Sequence, residues 1–137
     1  MQRRLISSAQ PLEGRFGYSR AVVCGDRIFV SGTAPTMPDG GDPPPDAYAQ
    51  ARRCLEIVLA ALAEAGAGPE HVVRTRMYVT RAEDRDAVGR AHGEVFGAVR
   101  PATTGVVVKE LFDPRWLVEI EADAVLTDGP RVDTSGA

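Results

Sequence analysis

Residues 101–126 read PATTGVVVKELFDPRWLVEIEADAVL, and how this stretch alternates decides the fold. From Trp116 to Leu126 the even positions Val118, Ile120, Ala122, Ala124 and Leu126 are apolar, while Glu119, Glu121 and Asp123 lie between Leu117 and Val125 on the odd ones. A period of two is that of a strand with one face in a core. Ala102–Glu110 predicts a second strand, with Thr104, Val106 and Val108 on one face and Thr103, Gly105, Val107 and Lys109 on the other. LFDPR joins the two. Val107 and Leu117 keep the acidic face from being uniformly polar. Such a mixed face suits an oligomer interface with clefts, or a plain exposed face with scattered apolar residues.

Upstream, Arg4–Ser7 predicts a short opening strand, and Gln10–Gly17, with Pro11, Gly14 and Gly17, a loop. Tyr18–Cys24 and Arg27–Ser31 predict a hairpin closed by Gly25-Asp26. Gly32–Pro45 is a loop stiffened by three consecutive prolines, and Asp46 is placed to cap a helix running to Ala65. Ala47, Ala51, Cys54, Leu55, Val58, Leu62 and Ala65 form its apolar stripe, and Gly66 ends it. Glu70–Thr80 predicts a strand and Ala82–Phe96 a second helix on Val88, Ala91, Val95 and Phe96. Gly89 and Gly93 inside that helix point to close approach by another surface, or else to simple sequence drift. The order β-β-β-α-β-α-β-β predicts an α+β fold, one mixed sheet with two helices packed on one face. The whole chain, 1–137, reads as a single domain with a frayed tail over 127–137.

Composition excludes several classes of function. Of 137 residues 44% are hydrophobic and 26% charged, with a net charge of -3, so no global field draws the chain to nucleic acid or to an anionic membrane. Neither a signal peptide nor an 18-residue apolar run is present, and the expected location is cytoplasmic. Cys24 and Cys54 suit buried thiols in a reducing compartment, although one disulfide stays open. The two histidines, His71 and His92, lie far apart, so no metal site and no cofactor are expected. DGGDPPP lacks the lysine and hydroxyl residue of a phosphate loop and reads as a rigid rim.

GYSRAVVCGDRIFVSG, QARRCLEIVLAALAEAG, VVRTRMYVT, RPATTGVVVKEL and LVEIEADAV together resemble the Rid (YjgF) family of reactive-intermediate deaminases, also called the L-PSP endoribonuclease-like family. The similarity runs from about Ser7 to Leu126. Its most specific part is Pro101-Ala102 followed by Glu119-Ile120-Glu121-Ala122. The resemblance implies a chorismate-mutase-like fold and a homotrimer with small-molecule ligands in clefts between subunits. It also implies hydrolysis of imines or enamines such as 2-aminoacrylate to a 2-keto acid and ammonia.

Carried over residue by residue, the resemblance makes Glu119 the catalytic carboxylate that holds the hydrolytic water. Tyr18, Gly32, Thr103, Thr104, Gly105 and Gly89 fall at ligand-binding positions. Thr103 is the departure, because active members carry there an arginine that grips the substrate carboxylate. Gly105 stands where cysteine is usual and Gly89 where asparagine is common, so all three changes shrink side chains around one cleft. Arg76, Arg20 and Arg15 are the candidate compensating cations, against a plain role in ion pairs.

Three functions follow as expectations. The first is hydrolysis of an imine, enamine or related C–N bond of a larger or less acidic substrate. The second is a non-catalytic ligand-binding or regulatory trimer. The third and weakest is an endoribonuclease-like protein, disfavoured because no basic stripe with aromatics is present for nucleic acid.

Overall fold

The computed structural model describes residues 2–127. It contains strands β1 (Arg3–Ile6), β2 (Ala21–Cys24), β3 (Arg27–Thr33), β4 (Val72–Val79), β5 (Ala102–Val107) and β6 (Val118–Val125). The helices are α1 (Leu12–Phe16), α2 (Ala47–Glu64) and α3 (Arg85–Phe96). Six strands form one sheet in the order β1-β2-β3-β6-β4-β5. All neighbours are antiparallel except β4 and β5, whose parallel pairing needs the crossover that α3 provides. This is the α+β, mixed-sheet architecture expected, with α2 and α3 on one face.

The alternation in β6 sets the two faces. Val118, Ile120, Ala122 and Ala124 are buried beneath α2, which offers Ala51, Cys54, Leu55, Val58 and Leu62 in return. Asp46 caps α2 by accepting from the Ala49 amide at 2.8 Å, and Gly66, at φ 83°, turns the chain out of it. Gly25 takes φ 63° in the β2–β3 turn. Cys54 lies in the core and forms no disulfide with Cys24. Burial pushes its thiol well above the ordinary range, so it is no nucleophile.

Residues 10–17 correct the expectation of a loop. Pro11 sits just ahead of α1 in the right-handed region at φ -61°, and Gly17 closes the helix at φ 79°. Proline at a helix entrance and glycine past its exit favour a helix in the same residues that suggest a loop. Buried Glu13 ties α1 back to β1 by accepting from the Ser8 amide at 3.1 and 3.2 Å and from the Ser8 hydroxyl. Four strands are also shorter than expected: β2 starts at Ala21, β4 is preceded by a 3₁₀ turn at Pro69–His71, β5 ends at Val107, and β6 spans only Val118–Val125. Apart from Thr127, the tail expected over 127–137 lies outside the described residues.

Two irregularities interrupt the register of the sheet, one of them at Gly32, where function is expected. Val30 pairs with Ala122 and Thr33 with Ile120, so Ser31 and Gly32 together oppose the single residue Glu121. A bulge of this kind re-aims the backbone and the side chains beside it. A second falls at Val73 in β4. Buried Gln50 of α2 then fixes the β5–β6 connection. Its amide donates to the Pro44 carbonyl at 2.9 Å and the Arg115 carbonyl at 3.0 Å, and its oxygen accepts from the Leu117 amide at 2.7 Å.

Candidate functional site

The three acids of β6 are not equivalent. Glu121 accepts from the Tyr78 hydroxyl and lies 3.6 Å from Arg76, whose guanidinium is also 3.5 Å from Asp123. Among the described residues Glu119 has no hydrogen-bond or ion-pair partner. Burial pushes its carboxyl above the usual range, nearby Arg20 draws it partly back, and Glu121 adds a small upward push.

The Ser31–Gly32 bulge brings bare backbone against this carboxylate. A Cβ built on Gly32 would stand 2.6 Å from Glu119 Oε2 and 3.4 Å from its Cδ. Gly32 has no positive φ, so the glycine is required by the close approach and not by backbone conformation. Arg20, only 9% exposed, donates from Nη2 to the Gly32 carbonyl at 2.6 Å. Its buried Nε has no partner among the described residues. Burial lowers its pKa, with Tyr18, Glu13 and Glu119 opposing the shift. Tyr18, Arg20, Gly32 and Glu119 thus share one hollow of about 320 Å³ with Leu12, Phe16, Phe112 and Trp116.

The remaining expected residues lie elsewhere in this chain. Gly89 and Gly105 line a second hollow of about 360 Å³ with Met77, Val79, Val88, Val107 and Arg85. A Cβ on Gly89 or Gly93 would meet nothing within 4 Å, so no surface of the described chain presses on α3 there. Thr103 does not point an empty hydroxyl into space. Its oxygen is 2.8 Å from the Thr75 hydroxyl and 3.1 Å from the Pro101 carbonyl, and Thr75 in turn is 2.7 Å from His92 Nε2. One donor direction satisfies all three contacts: His92 to Thr75, Thr75 to Thr103, Thr103 to Pro101. Burial lowers the pKa of His92 and favours its neutral form. Thr104 is exposed, in register with Arg76.

Of the three candidate cations, Arg20 stands beside Glu119, Arg76 pairs with Glu121 and Asp123, and Arg15 lies 5.3 Å over the Phe16 ring. The sequence reading missed Arg85, the cation in the hollow of Gly89 and Gly105. It also missed the aromatic wall of Phe16, Phe112 and Trp116. Helical spacing in LEGRF was the available signal for the first part of that wall. Among the described residues no group of three or more His, Cys, Asp or Glu side chains could hold a metal ion, and no helix is long and apolar enough to cross a membrane.

Comparison with known proteins finds relatives in sequence and in fold. The Streptomyces coelicolor protein SCO2049 is 43% identical over 125 residues, covering 88% of this chain and 90% of that one. The crystal structure of Rv2704 from Mycobacterium tuberculosis, a member of the YjgF/YER057c/UK114 family, superposes with a TM-score of 0.84. It is 42% identical, over 91% of this chain and 100% of that one. Escherichia coli TdcF, solved with bound serine, gives 0.76 at 28% identity, over 90% and 94% of the two chains. The family model described as Endoribonuclease L-PSP matches residues 9–126, and together with these relatives it establishes that the chain belongs to that family, the RidA/YjgF family.

Proposed function

We propose that this protein hydrolyses the C=N bond of an imine, with Glu119 holding and deprotonating the attacking water. The observation that supports this best is the contrast along β6. Glu121 and Asp123 are paired, while Glu119 is desolvated, unpartnered and seated over bare backbone in a hollow. A carboxylate with a raised pKa is a better base toward water.

The steps balance as follows. Glu119 accepts a hydrogen bond from water and takes its proton as oxygen bonds to the iminium carbon, and the π pair moves to nitrogen. The resulting carbinolamine nitrogen receives that proton from Glu119. The C–N bond then breaks, ammonia leaves, and the carbinolamine hydroxyl gives its proton to Glu119 as the carbonyl forms; Glu119 passes it to solvent, which balances the proton the imine took from solvent to become the iminium. Arg20 is a positioning residue: its bond to the Gly32 carbonyl fixes the backbone on which Glu119 rests.

The assembly proposed is a homotrimer whose subunits meet along the bare face and the edge strand. β5 is exposed along its whole length, including Val106 and Val107, and a neighbouring copy is the natural cover for such an edge. In such a trimer a ligand cleft combines elements of two subunits. TdcF holds serine, so a scaffold of this kind takes a small amino-acid-like ligand.

A second reading, a non-catalytic binding trimer, is favoured by one observation. The Thr103 hydroxyl is spent on Thr75 and Pro101 and offers no charge to a substrate carboxylate. The endoribonuclease reading gains nothing from the hollow, where the Glu119 carboxylate would repel a phosphodiester.

The test is ammonia release from imines generated in situ, both 2-iminobutyrate and neutral imines, with and without protein. Hydrolysis of at least one imine faster than in buffer is expected. Rates equal to buffer for every imine would remove the hydrolytic reading and leave the binding one.

A further inference from the structure

We propose, on the basis of the hydrolytic reading above, that the Glu119 hollow takes a neutral imine bearing an aromatic or similarly bulky apolar group. Three observations converge on this class.

The first is the wall. Leu12 and Phe16 stand one helical turn apart on α1, and Phe112 and Trp116 face the same space from the β5–β6 connection. Phe16 is 62% exposed and Phe112 96%, so large apolar surface waits uncovered at the mouth. Few exposed apolar residues need explanation singly, but a cluster around a hollow marks a binding surface.

The second is rigidity. α1 is tied down by the Glu13–Ser8 bonds, and Gln50 holds the backbone on both sides of Trp116 through Arg115 and Leu117. Backbone ordered in advance loses less freedom when a ligand arrives.

The third is charge. Among the described residues the carboxylate and the guanidinium lining the hollow are those of Glu119 and Arg20. Arg20 is nine-tenths buried and already donates to Gly32. Glu119 offsets the charge of that guanidinium, so a ligand carboxylate would meet no net positive charge in the hollow. A neutral imine that becomes an iminium is instead drawn to Glu119. A volume of about 320 Å³ is at the lower end of small-molecule sites. It suits one ring with a short side chain.

An acidic substrate would be better served by Arg85, which lies in the other hollow, mostly exposed and 3.1 Å from Asp86. The two cases separate by binding alone. The full-length protein is titrated calorimetrically with phenylacetone, a neutral aromatic ketone, and with 2-ketobutyrate, a small acidic one. Trp116, the single tryptophan of the chain, reports on the hollow through its emission.

Phenylacetone is expected to bind at least tenfold more tightly and to shift the Trp116 emission to shorter wavelength. Phe112→Ala is expected to weaken it roughly tenfold without loss of fold, because the side chain is almost wholly exposed. Equal or tighter binding of 2-ketobutyrate, lost in Arg85→Ala, would overturn the proposal and assign an acidic substrate. Unchanged phenylacetone affinity in Phe112→Ala, with a changed sedimentation coefficient, would overturn it in favour of a contact between copies. Phenylacetone binding without hydrolysis of any imine would support the ligand class and refute the hydrolytic reading separately.

Discussion

Glu119→Gln is expected to lower kcat for imine hydrolysis by about 10²–10⁴-fold, the usual worth of a positioned general base. Glutamine keeps the shape and can still hold a water, but it cannot take the proton. The fold should not suffer. Burial raises the Glu119 pKa, so the ionised form is less favoured in the folded protein than in the unfolded chain. Removing that charge leaves thermal stability at neutral pH unchanged or slightly higher. Glu121→Gln is the control, since Glu121 is occupied by Tyr78 and Arg76. Its turnover should stay within a few-fold of the parent. Equal turnover in parent and Glu119→Gln would show that Glu119 is not the base.

Gly32→Ala should separate catalysis from stability in a different way. The new methyl group would stand 2.6 Å from Glu119 Oε2, which is closer than real contacts allow. The atom displaced is the far end of a flexible side chain, so the carboxylate swings away and the sheet does not move. Alanine is worth about 0.5–1 kcal/mol over glycine in a strand, which offsets the displacement. The melting temperature is therefore expected to change little. A base moved by an ångström loses alignment, and kcat/KM should fall about 10²-fold. A variant that melts far lower would place the role of Gly32 in folding, and one with full activity would show that the carboxylate position is unimportant.

The main architecture is legible in the sequence because its signals are periodic and local. The alternation from Val118 to Leu126 gives the buried face of β6, and the stripe from Ala47 to Leu62 gives α2 with its Asp46 cap. What escapes is set by contacts distant in the chain. α1 hides behind a proline and two glycines that read as loop. Gln50 sits beside an apolar stripe, and nothing local reveals that it will be buried with three backbone partners. The bulge at Ser31–Gly32 arises from a register shift against β6, which a single strand cannot display.

The site shows the same division. Glu119, Tyr18 and Gly32 are singled out by resemblance and come together in space. Glu119, Glu121 and Asp123 are nonetheless indistinguishable by alternation. Only Arg76 and Tyr78, from a strand some forty residues earlier in the chain, occupy two of them and leave the third (β4 packs beside β6 antiparallel). Thr103 reads as the loss of a charge. In three dimensions it is one end of a hydrogen-bonded run to Thr75 and His92, which ties the edge strand to α3.

The most direct test of the account is the pH dependence of kcat/KM, measured beside the titration of the Glu119 carboxyl by carbon NMR. Burial raises the pKa of Glu119 from its ordinary value of 4.5, and the base acts only when ionised. Activity is therefore predicted to fall as pH drops through that raised value, with the acid limb and the NMR midpoint coinciding above the ordinary glutamate range. A carboxyl that titrates at or below 4.5, or an acid limb that persists unchanged in Glu119→Gln, would contradict the claim that this desolvated carboxylate is the base.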